Sequence, residues 1–414
     1  MSEHQNPHFV GLDIGNNTVK CVVGTLDPND PSKPAIVSHS EVKNKGMRKG
    51  VIAHIDDVAD SISQAVHEAE RVSGFQIHSA TVNINGSHVL GINSTGVIAI
   101  SSTDRQIGNE DRLRSEEAAT IVNLPLNREI IQVFAKNYRV DGQDNIKDPV
   151  GMHGVRLEVD THIVTAATPN VKSMETTLEK SQVRASNRTV SSLAAAEAVM
   201  TREQKEAGTL LIDIGAGTTN LAVIEDGEVQ FVGVLPIGGI NITNDLAIGL
   251  KTDLDIADKV KIEHGTLAPK RVAGTVRTKN GKEFHNFKVE DINMIIEARM
   301  EELFELVDKE LKKINKSQRL PGGVVLVGGT SKLPGIDEFA REKLQLAARL
   351  GHLQPIGGLL DTVKDSRFSA AVGLMLLDMY LEPQHEHHGM SKANEQVFGA
   401  LGAIWDKLSG SKKH

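Results

Sequence analysis

The chain has 414 residues, more than a single core of ordinary size holds, so two to four subdomains are expected. An apolar fraction of 39%, a charged fraction of 24% and a net charge of −8 describe a globular protein whose main partner is not nucleic acid, since a phosphate backbone calls for a basic face. There is no 18-residue apolar run and no basic-then-apolar start between Met1 and His8, and the single cysteine, Cys21, sits inside an apolar run; the expected location is cytoplasmic.

In chain order, the first element is a strand, tight turn and strand around Asp13-Ile14-Gly15-Asn16-Asn17-Thr18, followed by a Pro/Asp/Asn turn at Asp27 to Pro34. The stripe Val58, Ile62, Ala65, Val66, Ala69 and Val72 predicts a helix from Ile55 to Ser73, and Thr81 to Ile84 reads as a strand. The character changes between 85 and 165. Glu129 to Val140 reads as a strand, Asp111 to Val122 as a polar helix, and Val155, Leu157, Val159, Thr161 and Ile163 alternate as a half-buried antiparallel strand does. That stretch is most simply an inserted β-rich subdomain. An Ala-rich helix is expected from Thr189 to Thr201, then a second strand–turn–strand at Asp213-Ile214-Gly215-Ala216-Gly217-Thr218-Thr219. Strand Val229 to Val234 leads through Gly238-Gly239 into helix Asn241 to Leu250. A second insertion, 253–320, ends in a long helix from Asp291 to Ile314 with the stripe Ile292, Ile295, Ile296, Leu303, Leu306, Val307 and Leu311. The run Val324 to Val327 predicts a buried strand entering Gly328-Gly329-Thr330, and helix Phe368 to Tyr380 closes the body. Residues 382–394 read as a polar linker.

Residues 13–23 and 213–223 are two copies of one pattern, agreeing at Asp, Ile, Gly, Thr and the final Val. Glycine in each turn admits positive φ and brings backbone N–H groups close to an anion, with Asn16, Asn17, Gly217, Thr218 and Thr219 adding donors or room. Two such hairpins suggest two related halves closing on one polyphosphate. An Asp at one such turn is ordinarily a cap; the matched pair Asp13 and Asp213 is placed to hold Mg²⁺ through its water shell. Gly238, Gly239, Gly328, Gly329, Thr330 and Lys332 open two further turns that can meet phosphate, sugar or a flat base. Asp258 and Lys261, three apart on a helical stretch, share one face and could hold a ribose or an adenine edge, although such couples are commonly solvated. No G-x-x-x-x-G-K-[ST] occurs, and Asn220 stands where a dinucleotide fingerprint wants its third glycine.

The order of these pieces resembles the actin/Hsp70/sugar-kinase superfamily and, within it, the bacterial FtsA cell-division family. The carriers are the two Asp-Ile-Gly hairpins, the Ala-rich helix, the Gly-Gly turn, Val-Gly-Gly-Thr, the insertion at 85–165, Ala257-Asp258-Lys259-Val260-Lys261 and the C-terminal tip. The resemblance implies an α/β fold of duplicated ribonuclease-H-type subdomains with two insertions, the first displaced relative to actin. It divides the chain into 9–84 with 166–206 and 367–381, 85–165, 207–252 with 321–366, 253–320, a linker at 382–394, and a helix at 395–409. It implies ATP and Mg²⁺ as cofactors and adenosine contacts from Asp258 (Glu is more usual there) and Lys261. It also implies phosphate binding by Lys20, and a site for the C-terminal peptide of the tubulin-like protein FtsZ at Arg299 and Glu302. Other division proteins, self-association into filaments and anionic lipids are the remaining implied partners. A water-orienting side chain falls near Ser191, a weak group for that task, so hydrolysis is expected to be slow. Glu197, the other carboxylate nearby, lies more than a turn away.

The last element carries its own signal. Val397, Phe398, Leu401, Ile404, Trp405 and Leu408 form a helical stripe that contains the chain's only Trp, with Lys412 and Lys413 just beyond. Behind a polar linker, such a stripe suits reversible insertion into an anionic membrane surface, as the family resemblance also implies; a helix docked on the body is the plainer reading. His385, His387 and His388 could bind metal but read more simply as part of the solvated linker. A sugar or acetate kinase would need a further cleft Asp and no lipid-binding tail, a pilus-assembly adaptor would lack the tail, and an Hsp70-like chaperone would need a peptide-binding domain after Tyr380.

Overall fold

The computed structural model describes residues 7–27, 30–268, 274–281, 283–358 and 361–381. The linker and the apolar stripe at 395–409 lie outside the described residues. The chain begins with strands β1 (His8–Ile14), β2 (Thr18–Asp27) and β3 (Asp30–Lys43), the short pair β4 (Met47–Arg48) and β5 (Val51–Ile52), helix α1 (Ile55–Ser73) and β6 (Ser79–Ile84). It continues through β7 (Leu90–Ala99), α2 (Asn109–Ala119), β8 (Arg128–Val140), β9 (Gln143–Ile146) and β10 (Arg156–Ala167), returning by α3 (Thr168–Lys180), β11 (Arg184–Val190), α4 (Ser191–Val199) and α5 (Arg202–Ala207). The second half runs β12 (Thr209–Ile214), β13 (Thr219–Glu225), β14 (Glu228–Leu235), α6 (Gly239–Gly249), α7 (Leu254–His264), β15 (Thr275–Asn280), β16 (Glu283–Lys288) and α8 (Val289–Lys313). It closes with β17 (Gly323–Val327), α9 (Ile336–Leu344), β18 (Ala348–Leu350), β19 (Gly357–Gly358) and α10 (Ser369–Leu381).

The same sheet is built twice. One has the order β11-β6-β1-β2-β3-β19 and the other β14-β13-β12-β17-β18. In each, three successive strands pair antiparallel and two later ones add in parallel on the far side of the first. The register sets Asp13 directly across from Lys20 and Asp213 across from Asn220, so the duplicated carboxylates acquire different neighbours. A third sheet, β7-β10-β8-β9, is the inserted piece.

Helices α4 and α10 fill the space between the two large sheets, in one core with Phe9, Val22 and Ile36 of the first and Leu211, Val325 and Val327 of the second. Every residue of α10 from Ser369 to Leu377 is buried, as expected of a helix apolar on all sides and packed centrally. A Cβ placed on Gly373 would lie 1.7 Å from the Ala194 carbonyl oxygen, so here the two helices meet backbone to backbone. Helices α1 and α3 cover the outer face of the first sheet, and α6, α8 and α9 that of the second.

Three readings change. The turn expected at 27–34 is shorter, because β3 already pairs at Asp30 and carries Pro34 opposite Leu26. The helix expected from Thr189 begins at Ser191; Thr189 and Val190 instead extend β11 beside Asn83 and Ile84, where β-branched residues are well accommodated. Val155 lies just before β10 and is exposed, and from Thr161 to Ala166 that strand is buried on both faces, because α3 follows it and β14 packs nearby. Replacing Gly373 with Ala is expected to lower the thermal midpoint by several degrees, from an overpacking cost of about 1–3 kcal/mol or more. An unchanged melting curve would show that α4 and α10 are not held at backbone contact.

A candidate phosphate and metal cleft

Both hairpin turns close in the same way: Gly15 N–H donates to the Thr18 carbonyl at 3.0 Å, and Gly215 N–H to the Thr218 carbonyl at 2.9 Å. They also face each other. A Cβ on Gly217 would come within 2.4 Å of the Asn16 amide, so the two turns lie in contact and a larger residue there would have to push the Asn16 side chain aside. Asn16 is held from behind by Gly50 N–H at 2.8 Å, and Asn44 Nδ2 donates to the Gly15 carbonyl at 2.8 Å.

Between the turns lies a cavity of 130 Å³. Its lining includes Asp13, Gly15, Asn16, Asn17, Lys20, Ser191, Asp213, Gly215, Gly217, Thr218, Gly328 and Gly329. Thr219 is taken out of it, since its buried hydroxyl donates to the Ile237 carbonyl at 2.8 Å. Gly238 and Gly239 support the second hairpin from behind: Gly239 N–H donates to the Gly215 carbonyl at 3.0 Å, and Thr330 Oγ1 donates to that same oxygen at 3.0 Å. Lys332 turns outward to Asp365 at 2.7 Å. Helix α7 delivers Asp258 and Lys261 as a tight pair at 2.6 Å, with Lys261 Nζ also donating to Thr243 Oγ1 at 2.6 Å and to the Gly239 carbonyl at 3.2 Å. That pair is therefore tied to the rear of the glycine turn. Glu197 is held by Lys205 at 2.8 Å and does not line the cavity.

The electrostatics are lopsided. Asp13 is buried and Asp213 half-buried, and Lys20 Nζ stands 3.5 Å from Asp13 Oδ2. Burial lifts Asp13 above the ordinary carboxyl range against the pull of Lys20. Burial and then the Asp13 charge push Asp213 up to about 7, while Lys20 and the Asn220 amide oppose the rise. Asn85 Oδ1 and Asn220 Oδ1 are buried without hydrogen-bond partners, on side chains that also line the cavity. Two carboxylates short of positive charge, with polar oxygens left over, suit a hard divalent cation with its waters. Among the described residues no three His, Cys, Asp or Glu gather as a ready metal site, so a Mg²⁺ here would take its remaining ligands from water and phosphate. Cys21 is buried, its thiol pushed up to about 12 by burial and then the Glu70 charge, and is chemically quiet.

Sequence reasoning passed over several wall residues. Arg367 pairs with Glu41 at 3.2 Å at the rim, Asn85 and Ser366 contribute an amide and a hydroxyl, and Asn83 stands just behind, bonded to Ser191. They sit outside any glycine-rich pattern, and only the folded sheet brings them in. Arg299 and Glu302 lie elsewhere, paired with each other on α8; Arg299 Nη2 also donates to Asp245 of α6 at 2.8 Å.

Family models described as "Cell division protein FtsA" and "SHS2 domain inserted in FTSA" match residues 210–373 and 86–165. The cell division protein FtsA of Pseudomonas aeruginosa is 34% identical over 387 residues, covering 92% of this chain and 91% of that protein. The chain belongs to the FtsA family. The Bacillus subtilis FtsA is 35% identical over 378 residues, covering 90% of this chain and 83% of that one. Among solved structures, the PilM-PilN type IV pilus biogenesis complex aligns with a TM-score of 0.64 at 18% identity, covering 91% of this chain and 99% of that one. MreB5 of Spiroplasma citri bound to ADP aligns at 0.52 and 12% identity, covering 90% and 96%. These structural likenesses establish the fold, which is actin-like, and the family membership makes this a cell-division protein.

Asp213→Asn separates stability from function. A carboxyl whose folded pKa is raised from 3.8 to about 7 keeps, when folded, a proton that the unfolded chain gives up, so its contribution to stability falls as pH rises from about 4 to 7. The substitution is therefore expected to stabilise nucleotide-free protein at pH 8 by no more than on the order of 4 kcal/mol, read as a higher thermal midpoint, and to matter little at pH 4. A variant less stable than wild type at pH 8 would show that Asp213 is not a strained carboxylate.

Proposed function

We propose that this chain binds ATP with Mg²⁺ between its two halves and acts as the membrane tether of the FtsZ ring, self-associating at the cytoplasmic face of the membrane. The observation that carries the reading is the pair of facing glycine hairpins, each placing an Asp at the wall of one cavity. Backbone N–H groups of the two turns, with Asn16, Asn17 and Thr218, would receive the phosphates. Lys20 would offset phosphate charge and Asp13, and the two carboxylates would hold the water shell of the metal, which supplies charge neutralisation when bound. Gly328 and Gly329 offer flat backbone to the base, while Asp258 and Lys261 stand behind Gly239 on the sugar side.

Family membership supports the division role. No helix among the described residues is long and apolar enough to cross a membrane. Attachment on this reading falls to the stripe Val397, Phe398, Leu401, Ile404, Trp405 and Leu408. Six large apolar side chains at roughly 1.5–3 kcal/mol each give a gross gain on the order of 10 kcal/mol. Helix ordering and lost motion consume most of it, so one copy binds weakly and a filament of copies binds by avidity. The FtsZ peptide would meet α8 at Arg299 and Glu302, which stand at the middle of that helix and not at its start, on a surface already braced by Asp245.

Trp405→Glu is expected to release the protein from anionic vesicles in sedimentation while leaving nucleotide binding intact; wild-type sedimentation of the variant would contradict the membrane assignment. Arg299→Glu is expected to weaken binding of an FtsZ C-terminal peptide at least tenfold in fluorescence anisotropy. Equal affinity would remove that site.

A further inference from the structure

Asn83, at 1% exposure, stands behind the cavity wall, between Asp13 and Ser191 at the start of α4. Its Oδ1 accepts the Ile14 N–H at 2.7 Å, which fixes the orientation of the amide. The Nδ2 then faces the opposite way and spends its two hydrogens on Asp13 Oδ1 at 2.6 Å and Ser191 Oγ at 2.9 Å. Ser191 Oγ is thereby an acceptor from Asn83. Its own hydrogen has no acceptor among the described hydrogen bonds, and the side chain lines the cavity.

We propose that Asn83 is a positioning residue that turns Ser191 into a hydrogen-bond donor aimed at the terminal phosphate of a bound nucleoside triphosphate. The proposal rests on the nucleotide reading above. The Asp258–Lys261 pair of α7 lies behind Gly239 and the second hairpin, whereas Ser191 lines the cleft on the side of Asp13, to which Asn83 joins it. A nucleotide with its sugar toward α7 therefore extends its last phosphate toward Ser191. The same geometry ties two tasks to one amide: Asn83 holds the Asp13 carboxylate in place and orients the hydroxyl that recognises the third phosphate. A serine hydroxyl is in any case a weak proton acceptor for an attacking water, and Asn83 occupies one of its two lone pairs. Ser191 then distinguishes triphosphate from diphosphate instead of promoting hydrolysis.

The test uses full-length protein, Mg²⁺ and fluorescent analogues of ATP and ADP. Ser191→Ala is expected to weaken the ATP analogue on the order of tenfold, the worth of one hydrogen bond to a charged group, with the ADP analogue unchanged. Ser191→Thr, which keeps the hydroxyl, should retain the wild-type ratio. Asn83→Ala should lose the ATP preference as well, and adding Ser191→Ala to it should cost nothing further, the mark of two residues acting as one unit. Equal losses for ATP and ADP in Ser191→Ala, or a full tenfold loss that persists in the Asn83→Ala background, would overturn the proposal. If melting curves show Asn83→Ala unfolded, the comparison of Ser191→Ala with Ser191→Thr decides. A wild-type protein that binds ADP but not ATP overturns this proposal alone; one that binds neither analogue overturns the nucleotide reading and the proposal with it.

Discussion

Asp13, buried, and Asp213, half-buried, stand near the ends of equivalent strands, and Lys20 is the cation set against their two negative charges. Burying an ionised carboxylate is costly unless it is paired, and a single ammonium does not serve two. The Asn83 and Asn220 amides soften the imbalance without removing it. This unrelieved charge is the constraint around which the cleft is organised. It persists because the two strands that carry it are anchored in fully packed sheets, and a divalent cation with phosphate would relieve it. A folded protein can retain such strain only where the surroundings leave no alternative geometry.

The duplicated sheet supplies that rigidity. Each Asp ends an apolar strand flanked by an antiparallel neighbour and a parallel one, so its backbone position is fixed on both sides. α4 and α10 then lock the sheets together through close backbone packing, where Gly373 meets Ala194. The two turns cannot drift apart without disturbing that core. The inserted sheet is secured differently. His162 of β10 accepts the Val232 N–H of β14 at 3.0 Å and contacts Asn93 at 2.9 Å, so the insertion leaves the first half of the chain and docks on an edge of the second. Burial and then the Lys136 charge push this imidazole down to about 3, which keeps it neutral and able to accept.

Much of this was legible before folding was considered. Helix α1 follows from its stripe, the long α8 from its own, and the two facing glycine turns from the repeat of Asp-Ile-Gly with Thr at matching distance. What the sequence hid are contacts that only the sheet creates. Asn83 reads as one polar residue in an apolar strand, and nothing local announces that it reaches both Asp13 and Ser191. Arg367 sits more than 300 positions from Glu41, its partner at the rim. Thr219 resembles a phosphate ligand by position in the repeat, yet the strand pleat turns its hydroxyl to Ile237. The helix expected at 189–201 lost its first two residues to β11 because pairing beside β6 outweighs local helix preference. The insertion between 85 and 165 was visible as a change of character, while its attachment through His162 was not.

The central claim is that the cleft is charged for a divalent cation and a polyphosphate together. Thermal unfolding of wild-type protein with ATP, with and without Mg²⁺, tests it directly, since a ligand that binds only the folded state raises the midpoint in proportion to the logarithm of its concentration. The account predicts a midpoint that climbs with ATP when Mg²⁺ is present and barely moves when the metal is chelated. A midpoint that rises equally in both conditions, or in neither, would contradict it.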